Sequence, residues 1–431
     1  MIMAVDEVKI GLLGCGTVGS GVYKVLQKNE ASITNKAGAK LTVKQVLVKD
    51  KDEELVVDVP EAELTEDFTD VLHDDEIEIV VELIGGVNPA KKFVLQALKQ
   101  GKNVITANKE LIAKHGEEIL NTAEENGVDI YFEASVGGGI PIIKPLKSSL
   151  AGNKVTKILG IVNGTTNYIL TKMDEEGAEF DAVLNQAQDL GYAEADPSSD
   201  IEGCDAAYKL AILSSIGFES RIDIDKVHVE GITGITKDDI SYAREFDYKI
   251  KLLAIGKEEE DGVEVRVHPT LIPEEHPLAN VNDVYNAIFI EGDAIGQTMF
   301  YGPGAGQMPT GSAVVGDIIE VARNIEFGAQ GRLPCTCFED KKVKEQSEVK
   351  TRYYIRLEVL DEPGVLGQIT NLLGDYNVSM ESVMQKGRSD KSVPLVLITH
   401  KVKEGNINAA LEEISQLKPV KEIANLIRVE E

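Results

Sequence analysis

Tryptophan is absent from this 431-residue chain, and only four cysteines and six histidines occur in it. Four cysteines make no disulfide framework, and six scattered histidines point to no transition-metal site. Nowhere is there an apolar run of about 18 residues, which excludes a membrane-spanning helix. The opening Met1-Ile2-Met3-Ala4-Val5-Asp6-Glu7 lacks the basic and then apolar order of a secretory signal, so the expected location is the cytoplasm. Positive charge is scarce as well: 44 basic against 73 acidic side chains leave a net charge of −29. Such a field repels polyanions, and with no basic stripe interleaved with aromatics the chain has no use for nucleic acid. The acidity itself reads as a solubility device. Any anionic cofactor must be held by local geometry against it.

What is present is an ordinary globular composition, 43% apolar and 27% charged. At about 150 residues per domain it predicts two or three domains. The first alternates strands and helices. Val8–Leu13 reads as a buried strand running into Gly14-Cys15-Gly16-Thr17-Val18-Gly19, and Val18, Val22, Val25 and Leu26 then recur at helical spacing. Strands follow at Leu41–Val48, Ile77–Ile84, Asn103–Thr106 and Val128–Phe132. A helix carrying Ala90, Phe93, Val94, Ala97 and Leu98 stops at Gly101. Repeated strand–helix–strand units specify a Rossmann-type, doubly wound parallel sheet.

From Pro141 the character changes. A strand at Val155–Val162 enters Asn163-Gly164-Thr165-Thr166-Asn167, read as a small polar loop. A helix from Phe180 to Leu190 ends at Gly191, and one continuous helix is expected from about Asp200 to Ile216. Short strands at Val263–Val267 and Ala287–Glu291 suggest a mixed sheet, and a helix near 312–323 follows Gly302-Pro303-Gly304-Ala305-Gly306. The last eighty residues run strand, helix, strand, strand, helix, strand, the ferredoxin-like βαββαβ order. The expected division is 1–140 with about 305–330, then 141–304, a linker at 331–350, and 351–431.

Gly14-x-Gly16-x-x-Gly19 leaves a strand and opens a helix, the context in which glycines cradle a dinucleotide pyrophosphate with the Thr17 and Val18 amides facing the phosphates. At the end of the second strand, Lys49 comes first and Lys51 adds charge around Asp50. That corner favours NADP, with NAD left open. Thr106-Ala107-Asn108-Lys109 lies past another strand end, on the ligand edge of such sheets. Asp205 and Lys209 are four apart and share a helix face. Glu194, Asp196 and Asp200 just upstream make a carboxylate-rich surround suited to a substrate ammonium. A neighbouring carboxylate favours the charged lysine, the form that protonates an alkoxide, so the chemistry suits the reducing direction.

Cys204, among Ile201, Ala207 and Ala211, is expected to be buried packing rather than a nucleophile. Cys335-x-Cys337 lacks the spacer and the partner pair of a zinc site. Glu133-Ala134-Ser135-Val136-Gly137-Gly138-Gly139 offers carbonyls and one carboxylate to a hard cation, or equally a flexible hinge.

Together these motifs resemble the homoserine dehydrogenase family, in the form bearing a C-terminal ACT domain, over essentially the whole chain. The resemblance implies NAD(P)-dependent interconversion of L-homoserine and L-aspartate 4-semialdehyde, in the branch leading to threonine, methionine and isoleucine. It implies Lys209 as the acid–base residue, with Glu194 and Asp205 on the substrate ammonium and Asp200 in support. Lys109 would lie at the catalytic and cofactor junction, and Gly191 and Gly306 would touch the cofactor. Glu133 with the carbonyls of Val136, Gly138 and Ile140 would hold sodium or potassium. A mixed-sheet catalytic and dimerisation domain, a homodimer or homotetramer, and feedback by L-threonine at Asp361-Glu362-Pro363-Gly364 are further implications. Two competing classes remain at this level: a thiol-dependent aldehyde dehydrogenase using Cys204 or Cys15, and a non-catalytic sensor of dinucleotide and amino acid.

Overall fold

The computed structural model describes residues 7–52, 54–386 and 392–431. The chain forms two compact units. One takes the residues up to Ile158 with Tyr208–Ile224 and Asn286–Asp340; the other takes Leu159–Ala207, Asp225–Tyr285 and Lys341–Glu431.

In the first unit six parallel strands stand in the spatial order Leu64–Thr65, Lys40–Leu47, Glu7–Leu13, Ile77–Glu82, Asn103–Thr106, Ile130–Tyr131. Strands covered on both faces must be apolar nearly throughout, and Ile10, Leu12, Leu13, Ile79, Val80 and Val81 are fully buried. One face packs Ile10, Leu12 and Val46 against Val22, Val314 and Ile318; the other packs Leu13, Val80 and Val104 against Val94, Leu98 and Ile119. Helix Thr17–Lys28 lies so close to helix Gln307–Phe327 that a Cβ on Gly21 would sit 2.0 Å from the Gln307 carbonyl oxygen. Glycine is required there by the approach of two backbones. The order of strands reverses between Glu7–Leu13 and Ile77–Glu82, and the crevice at their carboxyl ends is where such sheets place ligands.

The second unit is built on a long antiparallel pair, Tyr248–Glu259 with Gly262–Pro273. Helices Gly164–Glu176, Phe180–Asp189 and Lys237–Glu245 belong to it. Its C-terminal part runs Lys350–Val359, Val365–Asp375, Met380–Gln385, Val393–Thr399, Glu404–Ile414, Val420–Val429, the βαββαβ order, over a core of Tyr353, Ile355, Leu357, Ile369, Leu373, Leu397, Ile407 and Ile414. Strand 420–429 has a partner on each side. It is antiparallel to 350–359 and parallel to 262–273, through Thr270 with Arg428 and Leu271 with Val429. Residues 341–344 also run along the long pair, with the Val263 amide donating to the Lys342 carbonyl at 2.9 Å.

Three expectations about local structure change. The polar run 163–167 is not a loop but the start of helix Gly164–Glu176, whose first turn is capped by Asn163. The stretch from Asp200 to Ile216 is two helices, Ser198–Ile201 and Cys204–Gly217, broken at Gly203 with φ +87°. The helix placed near 312–323 extends over Gln307–Phe327.

Candidate active site

The glycine turn has the geometry its spacing implies. Gly14 sits at φ +97°, where an L side chain is strained, and its amide donates to the Leu47 carbonyl at 2.9 Å. A Cβ on Gly19 would stand 2.2 Å from the Gly14 oxygen, so the third glycine lets the helix seat on the turn. At Gly16 an added Cβ would meet nothing within 4 Å. That open side, at a helix start with no side-chain cap and no acidic residue in its first turn, fits a pyrophosphate on the amides around Thr17 and Val18. Lys49 and Lys51 are exposed beyond strand Lys40–Leu47. Gly306, at φ +128°, precedes Gln307, whose amide nitrogen donates to Ser20 Oγ at 2.8 Å and whose oxygen accepts from Lys24 at 3.1 Å.

Across the sheet reversal, Glu82 ends its strand fully buried. Its carboxylate accepts from the Ile84 and Gly85 amides at 2.8 and 3.2 Å and from Thr106 Oγ1 at 2.6 Å. Burial pushes the Glu82 carboxyl up, against these hydrogen bonds. Asn108 donates to the Gly86 carbonyl at 2.6 Å and accepts from the Leu111 amide at 3.0 Å, capping helix Lys109–Glu125. Lys109, half-buried, is thus the first residue of a helix pinned at both sides of its cap. Sequence reasoning missed Glu82. The available signal was an acid closing the apolar run Ile79-Val80-Val81.

Around Glu133 the carboxylate is already engaged. It accepts from the amides of Ile142, Ile143 and Lys144 at 2.5, 2.7 and 2.7 Å, while the Glu133 amide donates to Asp317 at 2.9 Å. Burial, with the Glu133 charge beside it, holds the Asp317 carboxyl well above its usual range. A Cβ on Gly138 would fall 2.3 Å from the Gly304 oxygen, so the 133–140 loop is clamped rather than free to hinge. Oxygen donors for a monovalent cation would here be backbone carbonyls, a donor set that suits sodium or potassium.

In the second unit one amide organises the carboxylates. Asn163 Oδ1 accepts from the Thr166 amide at 2.9 Å, and Asn163 Nδ2 donates to both Asp200 Oδ1, at 2.7 Å, and Asp205 Oδ2, at 2.8 Å. Asp205 is 4% exposed and Lys209, one turn on in the same helix, 9%. Glu194 and Asp196 are exposed on the segment after Gly191, which ends its helix at φ +74°. Thr165 Oγ1 donates to the Tyr192 carbonyl at 2.7 Å and Gln188 to the Glu194 carbonyl at 3.0 Å, tying that segment down. Asn167 donates to the carbonyls of Val281, Asp283 and Tyr285 and accepts from buried Lys251, whose ammonium is pushed down to about 8 by burial. Cys204 is exposed, contrary to the packing role expected of it. The break at Gly203 makes it the first residue of its helix, so it does not lie on the buried face of a longer one.

Residues 14–133 match the family model for the homoserine dehydrogenase NAD binding domain, 141–319 that for homoserine dehydrogenase, and 353–419 that for the ACT domain. The homoserine dehydrogenase of Bacillus subtilis is 44% identical over 426 residues, 98% of each chain, and that of Synechocystis is 49% identical over 432 residues, 98% of this chain and 99% of the relative. The chain belongs to the homoserine dehydrogenase family. Among solved structures, a homoserine dehydrogenase from Thiobacillus denitrificans superposes with a TM-score of 0.93 at 44% identity, covering 99% of both chains. The Staphylococcus aureus homoserine dehydrogenase gives 0.79 at 36%, covering 99% of this chain and all of that one. As a homoserine dehydrogenase the protein is an oxidoreductase that interconverts L-homoserine and L-aspartate 4-semialdehyde with a nicotinamide dinucleotide, and it carries an ACT domain for a regulatory amino acid. Neither a thiol-dependent aldehyde dehydrogenase nor a non-catalytic sensor is supported. No helix among the described residues is long and apolar enough to cross a membrane.

Proposed function

We propose that Lys209 is the acid–base residue and that Glu194 and Asp205, with Asp200 behind them, hold the substrate ammonium. The observation that carries this reading is the double donation from Asn163 to Asp200 and Asp205, one helical turn before Lys209. Asn163 spends both amide hydrogens on carboxylate oxygens, which sets the two acids side by side as one negative surface for a cation. The bound dinucleotide supplies the hydride that the aldehyde carbon receives. Lys209, as an ammonium, gives its proton to the oxygen that becomes the hydroxyl, and in the reverse direction takes it back. No covalent intermediate is required, because the work is positioning.

Gly14, Gly16, Thr17, Val18 and Gly19 are assigned to the pyrophosphate, Thr106 and Lys109 to the catalytic end of the cofactor, and Gly191 and Gly306 to further cofactor contacts. Lys49 supports NADP over NAD through the added phosphate. One related archaeal enzyme is described in complex with NADPH. Sodium or potassium is assigned to the backbone oxygens of Glu133, Val136, Gly138 and Ile140, and L-threonine to the ACT domain. A homodimer or homotetramer, a cytoplasmic location and a place in threonine, methionine and isoleucine biosynthesis complete the reading. Four free thiols suit a reducing compartment. The domain division of 1–140 with about 305–330, 141–304, a linker at 331–350, and 351–431 is part of the same proposal.

The test is NADPH oxidation with aspartate semialdehyde. Lys209→Ala is expected to lower turnover by about a hundredfold or more while NADPH still binds. Near-normal turnover would overturn the assignment.

A further inference from the structure

Cys335 and Cys337 take no part in the reaction above, yet both open on one cavity of about 350 Å3 within the first unit. Its walls come from helix Lys109–Glu125, the turn Pro145–Ser149 and the C-terminal half of helix Cys204–Gly217. The Arg221 guanidinium donates to Cys335 Sγ at 3.6 Å, and Cys337 Sγ lies 3.6 Å from the Ser215 carbonyl oxygen. Lys147, its ammonium 5.6 Å from the Phe132 ring centre, and Lys114 bring two more positive charges to the lining; Glu117 and Asp223 bring two negative ones. Thr336 Oγ1, between the two thiols in sequence, is buried with no hydrogen-bond partner among the described residues.

We propose that Cys335 and Cys337 form a thiol–disulfide exchange site for a low-molecular-weight disulfide entering this cavity. Cys335 is the attacking sulfur. A hydrogen bond from the Cys337 thiol, the Cys337 amide, and the charges of Arg221 and Lys147 hold its thiol well below the usual range, outweighing its burial. The hydrogen bond it donates to Cys335, and then burial, push Cys337 the other way. A thiolate beside a guanidinium is the reactive form of cysteine, and a second thiol within reach is what resolves a mixed disulfide. The Cys335 thiolate attacks one sulfur of the incoming disulfide, forming a mixed disulfide and releasing one thiolate, which takes up the proton Cys335 gave to solvent. Cys337 then loses its proton and attacks Cys335 Sγ, forming the Cys335–Cys337 bond and releasing the second small thiol. Two protein thiols are oxidised and one disulfide is reduced to two thiols. The product removes the Cys337 thiol proton next to the Ser215 carbonyl, on the helix that carries Lys209.

The experiment uses the full chain, reduced and then exposed to oxidised glutathione near neutral pH. It is quenched with iodoacetamide, digested with trypsin and weighed. The peptide Leu333–Lys341 carries both thiols. It is expected to lose two hydrogens and carry no alkyl group, with exposed Cys204 still alkylated in the same digest. Cys337→Ser should stop at a glutathione adduct on Cys335, and Cys335→Ser should leave Cys337 alkylated. Glutathione on Cys204 with both Cys335 and Cys337 alkylated would overturn the proposal, as would an adduct that persists on Cys335 in the unaltered chain.

Discussion

Arg428, on the last strand of the chain, donates through Nη1 to Glu230 Oε2 at 2.6 Å. Its other nitrogens hold the buried Glu404 carboxylate at 2.9 and 2.5 Å, so the guanidinium links the ACT domain to the segment after strand His228–Val229. That segment packs against the backbone just after Asp200. The Ile232 amide donates to the Ile201 carbonyl at 2.8 Å, and a Cβ on Gly231 would stand 2.2 Å from the same oxygen. Ile201 follows Asp200. Two hydrogen-bonded steps therefore connect the last strand to the turn that carries Asp200.

Glu230→Gln keeps the shape and removes the charge. Under threonine titration of NADPH oxidation, the unaltered protein is expected to be inhibited. The variant should need at least about fivefold more threonine for half-inhibition, the lower end of typical allosteric coupling. Basal turnover should change little. Equal inhibition curves would remove this route.

Glu194 is exposed, with its carbonyl accepting from Gln188, so Glu194→Gln should leave the fold intact. The Michaelis constant for homoserine is expected to rise by about tenfold or more, the equivalent of about 1.4 kcal/mol, with a smaller change in turnover. An unchanged constant would take Glu194 off the ammonium.

A methyl group on Gly19 would press on the Gly14 oxygen and open the turn. Gly19→Ala is expected to weaken NADPH binding by about tenfold or more, read by titrating the cofactor's own fluorescence, which the lack of tryptophan leaves uncluttered. Retained cofactor affinity would show that the turn does not shape the site.

His268 is fully buried, accepts from Arg266 Nε at 3.1 Å through Nε2, and lies 2.9 Å from the Pro269 carbonyl through Nδ1. The guanidinium fixes the neutral tautomer with the proton on Nδ1. Burial, then the charges of Arg428 and Arg266, hold the imidazole well below its usual range. The unfolded chain binds this proton more readily than the folded one, so the contribution is intact above a pH of about 6.5 and is lost as pH falls below it. Urea midpoints should drop through that window by less in His268→Gln than in the unaltered chain. Parallel profiles would contradict this.

Much of the architecture is legible in the residues because its signals are local. Buried parallel strands show as apolar runs such as Ile79-Val80-Val81, and the Gly14 turn shows as a spacing. Helix Gly164–Glu176 escaped because Tyr168, Ile169, Leu170, Thr171 and Met173 are buried nearly all round it, which erases the one-sided stripe. Helix Lys237–Glu245 is largely polar, and its Thr236 capping box closes on Asp239 where a longer acid is usual. For the site, Asp205 with Lys209 follows from helical spacing alone. The linking role of Asn163, the bond from Thr106 to the buried acid Glu82 and the pairing of 420–429 with 262–273 join positions far apart in sequence. No window of the chain contains both partners.

That last pairing bears on attempts to remove the ACT domain by truncation. Stopping the chain before residue 420 would unpair strand 262–273 at Thr270 and Leu271 and remove Glu430 from the buried Arg266. Strand groups left exposed in that way are a template for pairing with other chains. The role of the ACT domain is better probed by single replacements within it than by shortening the protein.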